Sequence, residues 1–552
     1  MRAMTEEAHK KTIYKTYRRF KWLVIGYILG IGISAVVTIL LARLMGPANY
    51  GLYAAAFILP SILSNLGDLG MSRAAIYYLS SLRLREPIRS LEYFKTSLIA
   101  VCVQSFLFSA IIAVFAYPIA NAVFGKEYLA PYIQIASLMI FYSSVVAVIN
   151  GGLLSLEKQR TIALFIITTS AIRNSLALLL YVQSADVMFA LIGQIAGYTL
   201  MVIIYIIYAL SLLRGIHLNY KLIGPMLRYG FPYCVGAFII ALSSQFYNIV
   251  AVSLLDKVTY GNFSAAWFIF SATSAIPISL SLSFFPSFSE AYANVNINTS
   301  ATYNAAVKFS ATILLYLWLI LGGLSDIFVR IVYGSTYSEA GSILALLTTI
   351  FVLSLIGWGI VIPLLLTFKE TKIIAAISFS GVGVSAFIFL KMQEMNLINT
   401  VWLIPLALFI MNFVSTVAGL IYLIKKYRIH LEKLSILKMF GVVLLFFYIV
   451  KKLGIGAIAL FKIFGSIQLS NVLTVAIFAV WVGIAYISLL IIVGALRRED
   501  YEVLRKTLLA LPMLGIVDRV VEKAFIINEK VNGFVQKLAE KPAERKMSLV
   551  SE

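Results

Sequence analysis

Charged residues are scarce in this sequence. Asp, Glu, Lys and Arg make up only 12% of the 552 residues, whereas hydrophobic residues make up 61%. Soluble globular domains carry about a quarter charged residues and about half apolar ones. The mean hydropathy of the chain is +0.94. This composition excludes a soluble globular protein and predicts a polytopic membrane protein.

Cysteine and histidine are also rare, with two and three residues respectively. Cys102 and Cys234 lie in apolar runs without ligand spacing, so neither a disulfide framework nor a zinc site is predicted. His9, His217 and His430 all fall outside the apolar runs, in segments predicted to be cytoplasmic, and the sequence contains no Walker loop. We therefore expect no enzyme, no bound metal and no cofactor.

Acidic residues are outnumbered: 24 Asp and Glu against 45 Lys and Arg give a formal net charge of +21. The basic residues fall in short clusters between apolar runs and form no separate domain. Such clusters are typical of cytoplasmic loops that meet anionic lipid headgroups. Membrane lipids are therefore expected partners, and nucleic acid is not.

About fourteen apolar runs are long enough to cross a bilayer as helices, which takes roughly twenty residues each. The sequence therefore predicts an all-α fold with about fourteen transmembrane helices. The runs divide the chain into a basic N-terminus (1–19), an N-lobe of six spans (20–213), a linker (214–230), a C-lobe of six spans (231–424), two extra spans (439–493) and an amphipathic tail (497–552). The only outer loop of any size is predicted at 451–468.

The positions of the basic clusters predict the orientation. With the N-terminus inside, the loops that contain Arg83, Lys158, Arg214 and Lys425 all face the cytoplasm, as the positive-inside rule requires. We therefore expect a plasma-membrane protein with both termini in the cytoplasm. The predicted outer loops are short, which disfavours a glycosyltransferase or polymerase that would need outer carboxylates.

The two halves contain matching segments at corresponding turns. YGLYAAA at 50–56 matches YGNFSAA at 260–266, and FGKEY at 124–128 matches YGSTY at 333–337. Internal similarity of this kind indicates a structural repeat. Since each repeat has six spans, an even number, we expect two six-helix lobes in parallel repeat.

A polar stripe is predicted on the second span. Gly46 and Pro47 end the first helix and permit a turn. Beyond it, polar residues recur at helical spacing in an otherwise apolar helix: Ser61, Asn65, Asp68 and Ser72. Such a face is expected to contact water or protein rather than lipid.

Arg173 lies near the middle of the fifth span, where insertion of an arginine costs roughly 2.5 to 3.5 kcal/mol. Arg73 lies above the inner end of the second span. Either arginine could form a structural ion pair with Asp68. Alternatively, the arginines could line a cationic cavity, because a guanidinium stays charged in a low-dielectric site and grips phosphate oxygens bidentately.

Uncharged polar residues complete the candidate substrate-binding set of Arg173, Arg73 and Asp68: Asn65, Asn174, Gln245 and Asn248. The second half has no charged counterparts, since the positions one repeat later hold Ile278, Ser283 and Gly383. A diphosphate would therefore be held by the N-lobe.

Small and cyclic residues predict packing and bending. Gly26, Gly30 and Gly32 in the first span favour close helix contact. Pro277 and Pro286 in the eighth span could kink that helix and provide a hinge.

The hairpin RLMGPANYGLYAAAFIL, its continuation NLGDLGMSRA, the turn IVYGSTYSEA and the 6+6+2 layout resemble the polysaccharide exporters of the MOP superfamily, the Wzx-type flippases. The resemblance implies a MATE/MOP-like fold and a transporter that moves a polyprenyl-diphosphate-linked oligosaccharide outward by alternating access. Its partners would be this anionic glycolipid and glycan polymerase or glycosyltransferase machinery.

Lipid II flippases and multidrug MATE exporters share this fold, so the fold alone does not determine the substrate. A MATE-type cation-coupled exporter is expected to bind lipophilic cations with buried carboxylates. Asp68 is the only acid deep in a predicted span. The sign of the charge inside the membrane is therefore the feature that separates the two functions.

Overall fold

The computed structural model describes residues 2–83, 85–274, 276–281, 284, 288, 299–395, 399–464, 469–496, 498, 500 and 520–530. Every regular element in these ranges is helical, which confirms the all-α prediction. Ser283, Pro286 and most of the predicted tail lie outside them.

The first half of the chain contains α1 (Arg2–Ala56), α2 (Ile58–Gly67), α3 (Met71–Leu82), α4 (Pro87–Val114), α5 (Ala116–Ile119), α6 (Ala130–Ala136), α7 (Leu138–Ser155), α8 (Gln159–Ser184), α9 (Val187–Leu212), α10 (Ile223–Leu254) and α11 (Lys257–Thr273). A π turn at Ala120–Phe124 and a 3₁₀ turn at Glu127–Leu129 link α5 to α6. A further 3₁₀ turn, Tyr220–Leu222, precedes α10.

The second half contains helices at Thr299–Gly323, Ser325–Tyr333, Ala340–Thr348, Val361–Thr367, Thr371–Glu394, Thr400–Tyr427, Lys433–Phe464 and Leu469–Ile492. A 3₁₀ segment at Thr349–Ile356 follows the third of these. Residues 276–281 and 520–530 are also helical.

Eleven helices among the described residues are long and apolar enough to cross a membrane, or twelve if one bent pair counts as a single span. One of the eleven, Trp22–Leu82, has 61 residues. A straight helix of that length would be about 90 Å long, roughly three times the hydrocarbon thickness. The chain is thus a multi-pass membrane protein, and the number of fourteen spans remains a prediction.

The predicted turn at Gly46 and Pro47 is confirmed. Gly46 has φ 68° and ψ 172°, which interrupts α1 immediately before Pro47. Next to this turn the two matching segments of the repeat touch: a Cβ at Gly51 would lie 2.9 Å from the Gly261 nitrogen.

The other matching pair of turns shares one backbone feature. Gly125 and Gly334 both adopt positive φ, 64° and 92°. Just beyond each glycine a side chain reaches back to the end of a long helix: Lys126 Nζ donates to the Leu255 carbonyl, and Tyr337 Oη donates to the Ala42 carbonyl at 2.6 Å. The two turns thus share a positive φ at glycine, but their ψ angles differ, 23° at Gly125 and −177° at Gly334.

The chain separates into two compact units, residues 1–265 with 335–337 and residues 266–334 with 338–552. A buried core in the first unit joins α3, α4, α7, α9 and α10, and includes Phe94, Val148 and Tyr205. A core in the second unit includes Tyr303 and Leu364. The predicted lobe and linker boundaries remain predictions.

The second span is not the continuous helix that the sequence predicts. It breaks at Phe57 and again between α2 and α3, where Leu69 and Gly70 have φ 46° and 78°. Gly70 is required there, because a Cβ would lie 2.0 Å from the Gly230 carbonyl oxygen on α10. The close approach of the α3 and α10 backbones thus breaks the helix within the predicted polar stripe, so Ser61, Asn65, Asp68 and Ser72 do not lie on one continuous helix.

The stretch 451–468, predicted as an outer loop, is helical over most of its length. Helix Lys433–Phe464 continues through it. Lys is a good helix former, so Lys451 and Lys452 end the apolar run without ending the helix.

The described part of the tail is attached to the second unit. Asn528 Nδ2 donates to the carbonyls of Ile491 and Ile492 at 2.6 and 2.9 Å. Asp500, which precedes this segment in the chain, lies 3.7 Å from the buried Lys308 ammonium. Lys308 also pairs with Glu432 at 2.6 Å. Packing with the rest of the unit therefore positions this segment.

Candidate functional site

Arg173 lies in the middle of α8, about 21 Å from its first residue and about 16 Å from its last at 1.5 Å per residue. Helices α1 and α9 pack closely on α8. A Cβ at Gly26 would lie 2.6 Å from the Ala163 Cα, and a Cβ at Gly197 would lie 2.5 Å from the Arg173 Cα. Gly30 makes a similar contact with Ile166, whereas Gly32 has no neighbour within 4 Å. The predicted packing role thus holds for two of the three glycines.

The Arg173 guanidinium has an aromatic neighbour and no acidic one. Its Cζ lies 5.4 Å from the centroid of the Tyr198 ring on α9. Its Nε is buried and has no hydrogen-bond partner among the described residues. No ion pair between described residues involves Arg173, Arg73 or Asp68. The structural ion pair considered from the sequence is therefore absent from this part of the chain.

Polar side chains surround this region of the first unit. Tyr53 Oη donates to Gln194 Oε1, and Tyr142 Oη lies 2.5 Å from Thr199 Oγ1. These contacts join neighbouring helices, and both Tyr53 and Tyr198 lie within range of the Arg173 charge. The sequence did not single out Tyr53, Gln194 or Tyr198. Tyr198 reaches the guanidinium because of how α9 is rotated against α8. The pattern of apolar and polar residues along one helix does not predict that rotation.

Asn174 ties α8 to α1. The side chain is buried, and its Nδ2 donates to Ser34 Oγ at 2.9 Å and to the Ser170 carbonyl at 2.7 Å. Both amide protons are thus used inside the protein. The geometry assigns Asn174 a positioning role next to Arg173.

Asp68 begins α3. Its Oδ1 accepts from the Gly70 N–H at 2.9 Å and its Oδ2 from the Ser72 N–H at 3.2 Å. A carboxylate at a helix N-terminus satisfies free N–H groups and interacts favourably with the helix dipole. Because the chain breaks at Leu69, the N–H groups of Gly70 and Ser72 are free to stabilise the buried Asp68 carboxylate, and no cation is needed for this.

Arg73 occupies a different place from Arg173. It is exposed, and its Cζ lies 4.8 Å from the centroid of the Tyr233 ring on α10. Tyr77 on α3 stacks on Tyr229 of the same α10 at a centroid distance of 4.5 Å. The two candidate arginines thus contact different aromatic residues on different helices.

The remaining candidates bond to their own helices. Asn65 Nδ2 donates to the Ser61 and Ile62 carbonyls. The backbone carbonyl of Asn65 accepts from Cys234 Sγ at 3.3 Å. Asn248 Nδ2 donates to Gln245 Oε1 at 2.7 Å. No contact joins any of these residues to Arg173 in the side chains that the structure describes.

The model of the family described as "Polysaccharide biosynthesis protein" matches residues 17–292. Among solved structures, the chain is similar to a lipid II flippase MurJ in an inward closed conformation, with a TM-score of 0.57 and 15% identity over 85% of this chain and 98% of that one. It is also similar to an inward-facing multidrug resistance MATE family transporter of the MOP superfamily, with a TM-score of 0.59 and 15% identity over 74% and 98% of the two chains. No curated protein sequence matches significantly.

Proposed function

Because the chain belongs to the polysaccharide biosynthesis protein family, we propose that it is a flippase that moves a polyprenyl-diphosphate-linked oligosaccharide from the cytoplasmic to the outer leaflet. The fold that it shares with MurJ and MATE proteins supports transport by alternating access. In this proposal the protein is a transporter and not an enzyme.

The unpaired guanidinium of Arg173 is the observation that carries this proposal. A central arginine costs at least roughly 2.5 to 3.5 kcal/mol to insert in the membrane, so it normally has a partner or faces a cavity. Here the partner is the face of Tyr198, and the buried Nε has no acceptor. A diphosphate oxygen would supply that acceptor in a charge-assisted hydrogen bond. The site therefore fits an anionic ligand.

Two related functions remain as alternatives. A MATE-type exporter of lipophilic cations is expected to bind them with a buried carboxylate, but the buried Asp68 carboxylate is already stabilised by the Gly70 and Ser72 N–H groups at the start of α3. A lipid II-type flippase would move the same diphosphate chemistry attached to a different glycan. Arg173 therefore favours a lipid-linked anion over a cation and does not select among glycans.

The proposal includes the lobes and orientation expected from the sequence. The N-lobe (20–213) would hold the diphosphate through Arg173, and both termini would lie in the cytoplasm of a cell with the protein in its plasma membrane. There the protein would receive its substrate from glycosyltransferases and deliver it to a glycan polymerase. The basic clusters between the spans support this orientation.

The experiment compares arginines at two places on α8. Arg173→Ala is expected to abolish glycolipid transport and pyrophosphate binding by the purified protein, while the amount of folded protein stays near normal. Arg173→Lys should rescue only in part, since a lysine cannot bind bidentately.

Arg160→Ala is the matched control, because Arg160 lies near the start of the same helix with its Cζ 5.2 Å from the Trp22 ring centroid. It should retain transport. If Arg173→Ala binds pyrophosphate and transports as well as Arg160→Ala does, the anion site is elsewhere and the proposal fails.

A further inference from the structure

The second unit contains a cavity of about 290 Å³ beside a broken span. The break separates the 3₁₀ segment Thr349–Ile356 from helix Val361–Thr367, and the helical axes on its two sides differ by 47°. Helices Thr371–Glu394 and Thr400–Tyr427 and the segment 276–281 complete the walls. The cavity is thus built from elements of a single unit.

Two glycines make the break. Gly357 and Gly359 have φ 92° and 83°, a left-handed backbone that side chains oppose. The single Ser281 hydroxyl proton has two acceptors within reach, the Gly359 carbonyl freed by the break and the Pro277 carbonyl at 2.8 Å. Irregular backbone at membrane depth is tolerated where it is buried in protein or lines a cavity, and broken helices often form transporter binding sites.

The lining combines one aromatic face with uncharged oxygen acceptors. Trp358 Nε1 donates to Asn412 Oδ1 at 3.0 Å, which fixes the indole, and Asn412 Nδ2 donates to the Leu408 carbonyl at 2.8 Å. Ser274 and Ser415 donate to backbone carbonyls at 3.0 and 3.1 Å. A serine oxygen that donates keeps two lone pairs, so these hydroxyls can still accept hydrogen bonds from a ligand.

None of the described residues that line the cavity is charged. An anionic or cationic ligand would therefore lose its hydration without a compensating charge. A purely apolar ligand would leave the remaining lone pairs of the serine and asparagine oxygens unused. The lining instead fits a ligand with an apolar face and several hydroxyl donors.

We propose that this cavity binds one neutral sugar ring of the transported glycan. The apolar C–H face of a pyranose would lie on the Trp358 indole, whose amphipathic ring suits a half-apolar partner. Its hydroxyls would donate to Asn412, Ser281 and Ser415. This inference rests on the proposed function, and it adds a neutral sugar site to the anion site at Arg173.

The experiment is a calorimetric titration of the full-length protein in lipid nanodiscs with N-acetylglucosamine, glucuronate or pyrophosphate. We expect saturable binding of N-acetylglucosamine that Trp358→Ala or Asn412→Ala weakens at least about tenfold, as loss of a ring contact or a buried hydrogen bond would. Glucuronate should bind more weakly than the neutral sugar. Trp481→Phe is the matched control, since Trp481 is an exposed tryptophan of the same unit.

A fluorescence titration identifies the tryptophan involved. Quenching by N-acetylglucosamine should disappear in Trp358→Phe and persist in Trp481→Phe. If Trp358→Ala does not fold, Asn412→Ala and Ser415→Ala keep the indole as a reporter and must still weaken binding. Absence of saturable sugar binding, or binding that is unchanged in the folded variants, would overturn the inference.

The pyrophosphate titration separates this inference from the proposed function. Pyrophosphate binding that depends on Arg173 without any sugar binding would remove the neutral sugar site and leave the flippase proposal standing. Sugar binding that depends on Trp358 without any pyrophosphate binding would support the neutral sugar site and remove the anion site at Arg173.

Discussion

Arg173 and Tyr198 form a pair whose strength can be measured. A cation over an aromatic face contributes about 0.5 to 2 kcal/mol, depending on desolvation. The contact places the guanidinium at 5.4 Å from the ring centroid and uses the ring rather than the hydroxyl. The ring therefore orients the charge that we assign to the diphosphate.

Substitutions at Tyr198 test this role. Tyr198→Phe keeps the aromatic face and should retain most transport, whereas Tyr198→Leu should lower the apparent affinity for the glycolipid by about two- to thirtyfold, the equivalent of the cation–π free energy. The measurement is the substrate dependence of transport by each variant in liposomes. Equal affinities for the two variants would show that Tyr198 merely fills space.

The sequence predicts the position of some site residues along a helix but not their neighbours on other helices. The depth of Arg173 follows from its distance to both ends of an apolar run, so the sequence alone identifies it as a candidate. Its neighbour Tyr198 depends on how α9 is rotated against α8, which apolar periodicity does not specify. Asp68 could have been recognised as a capping residue from the following Gly70, but its helical spacing with Asn65 favoured a continuous stripe.

Helix α8 is held between α1 and α9 at the level of Arg173. The absence of a side chain at Gly197 permits α9 to approach the Arg173 backbone. Packing of this kind fixes the position of a side chain more firmly than a loop would.

Gly197→Val is expected to separate α9 from α8, because even a Cβ would lie 2.5 Å from the Arg173 Cα. We expect loss of transport and a lower melting temperature. Gly32→Ala is the matched control, since a Cβ there meets nothing within 4 Å and alanine favours the helix. A Gly197→Val variant with normal transport would show that this helix contact does not position the site.

The elements themselves were partly predictable. The break at Gly46 follows from the Gly-Pro sequence, and the structure confirms it. The break after Asp68 depends on Gly230, a residue of a distant helix, and could not be deduced from local spacing. Lys451 predicts the start of a loop, because charged residues end a membrane span, but charge alone does not end a helix.

The two matching turns make a prediction about the whole molecule. In a parallel repeat, corresponding turns lie on the same side of the membrane. Reporters fused after Gly125 and after Gly334 should therefore both be detected outside, and reporters fused after Lys158 and after Lys369 should both be detected inside. Detection of Gly125 and Gly334 on opposite sides would contradict the parallel repeat and the proposed orientation.

The membrane potential can drive the proposed transport. With the cytoplasm negative, outward movement of one negative charge releases about 2.3 kcal/mol per 100 mV, and a diphosphate with two charges releases about twice that. Coupling to an ion gradient is therefore not required. The protein needs mainly to lower the barrier for the charged headgroup, which is the role that we assign to Arg173.

The most direct measurement of the central claim is transport by the purified protein in liposomes. A labelled polyprenyl-diphosphate oligosaccharide is followed as it appears in the opposite leaflet, in parallel with the efflux of ethidium, a lipophilic cation. The account predicts that the glycolipid moves and ethidium does not, that Arg173→Ala stops glycolipid movement, and that Asp68→Asn, which keeps an oxygen acceptor at the start of α3, leaves it largely intact. Efflux of ethidium without glycolipid movement, stopped by Asp68→Asn and not by Arg173→Ala, would contradict the account and establish a cation exporter.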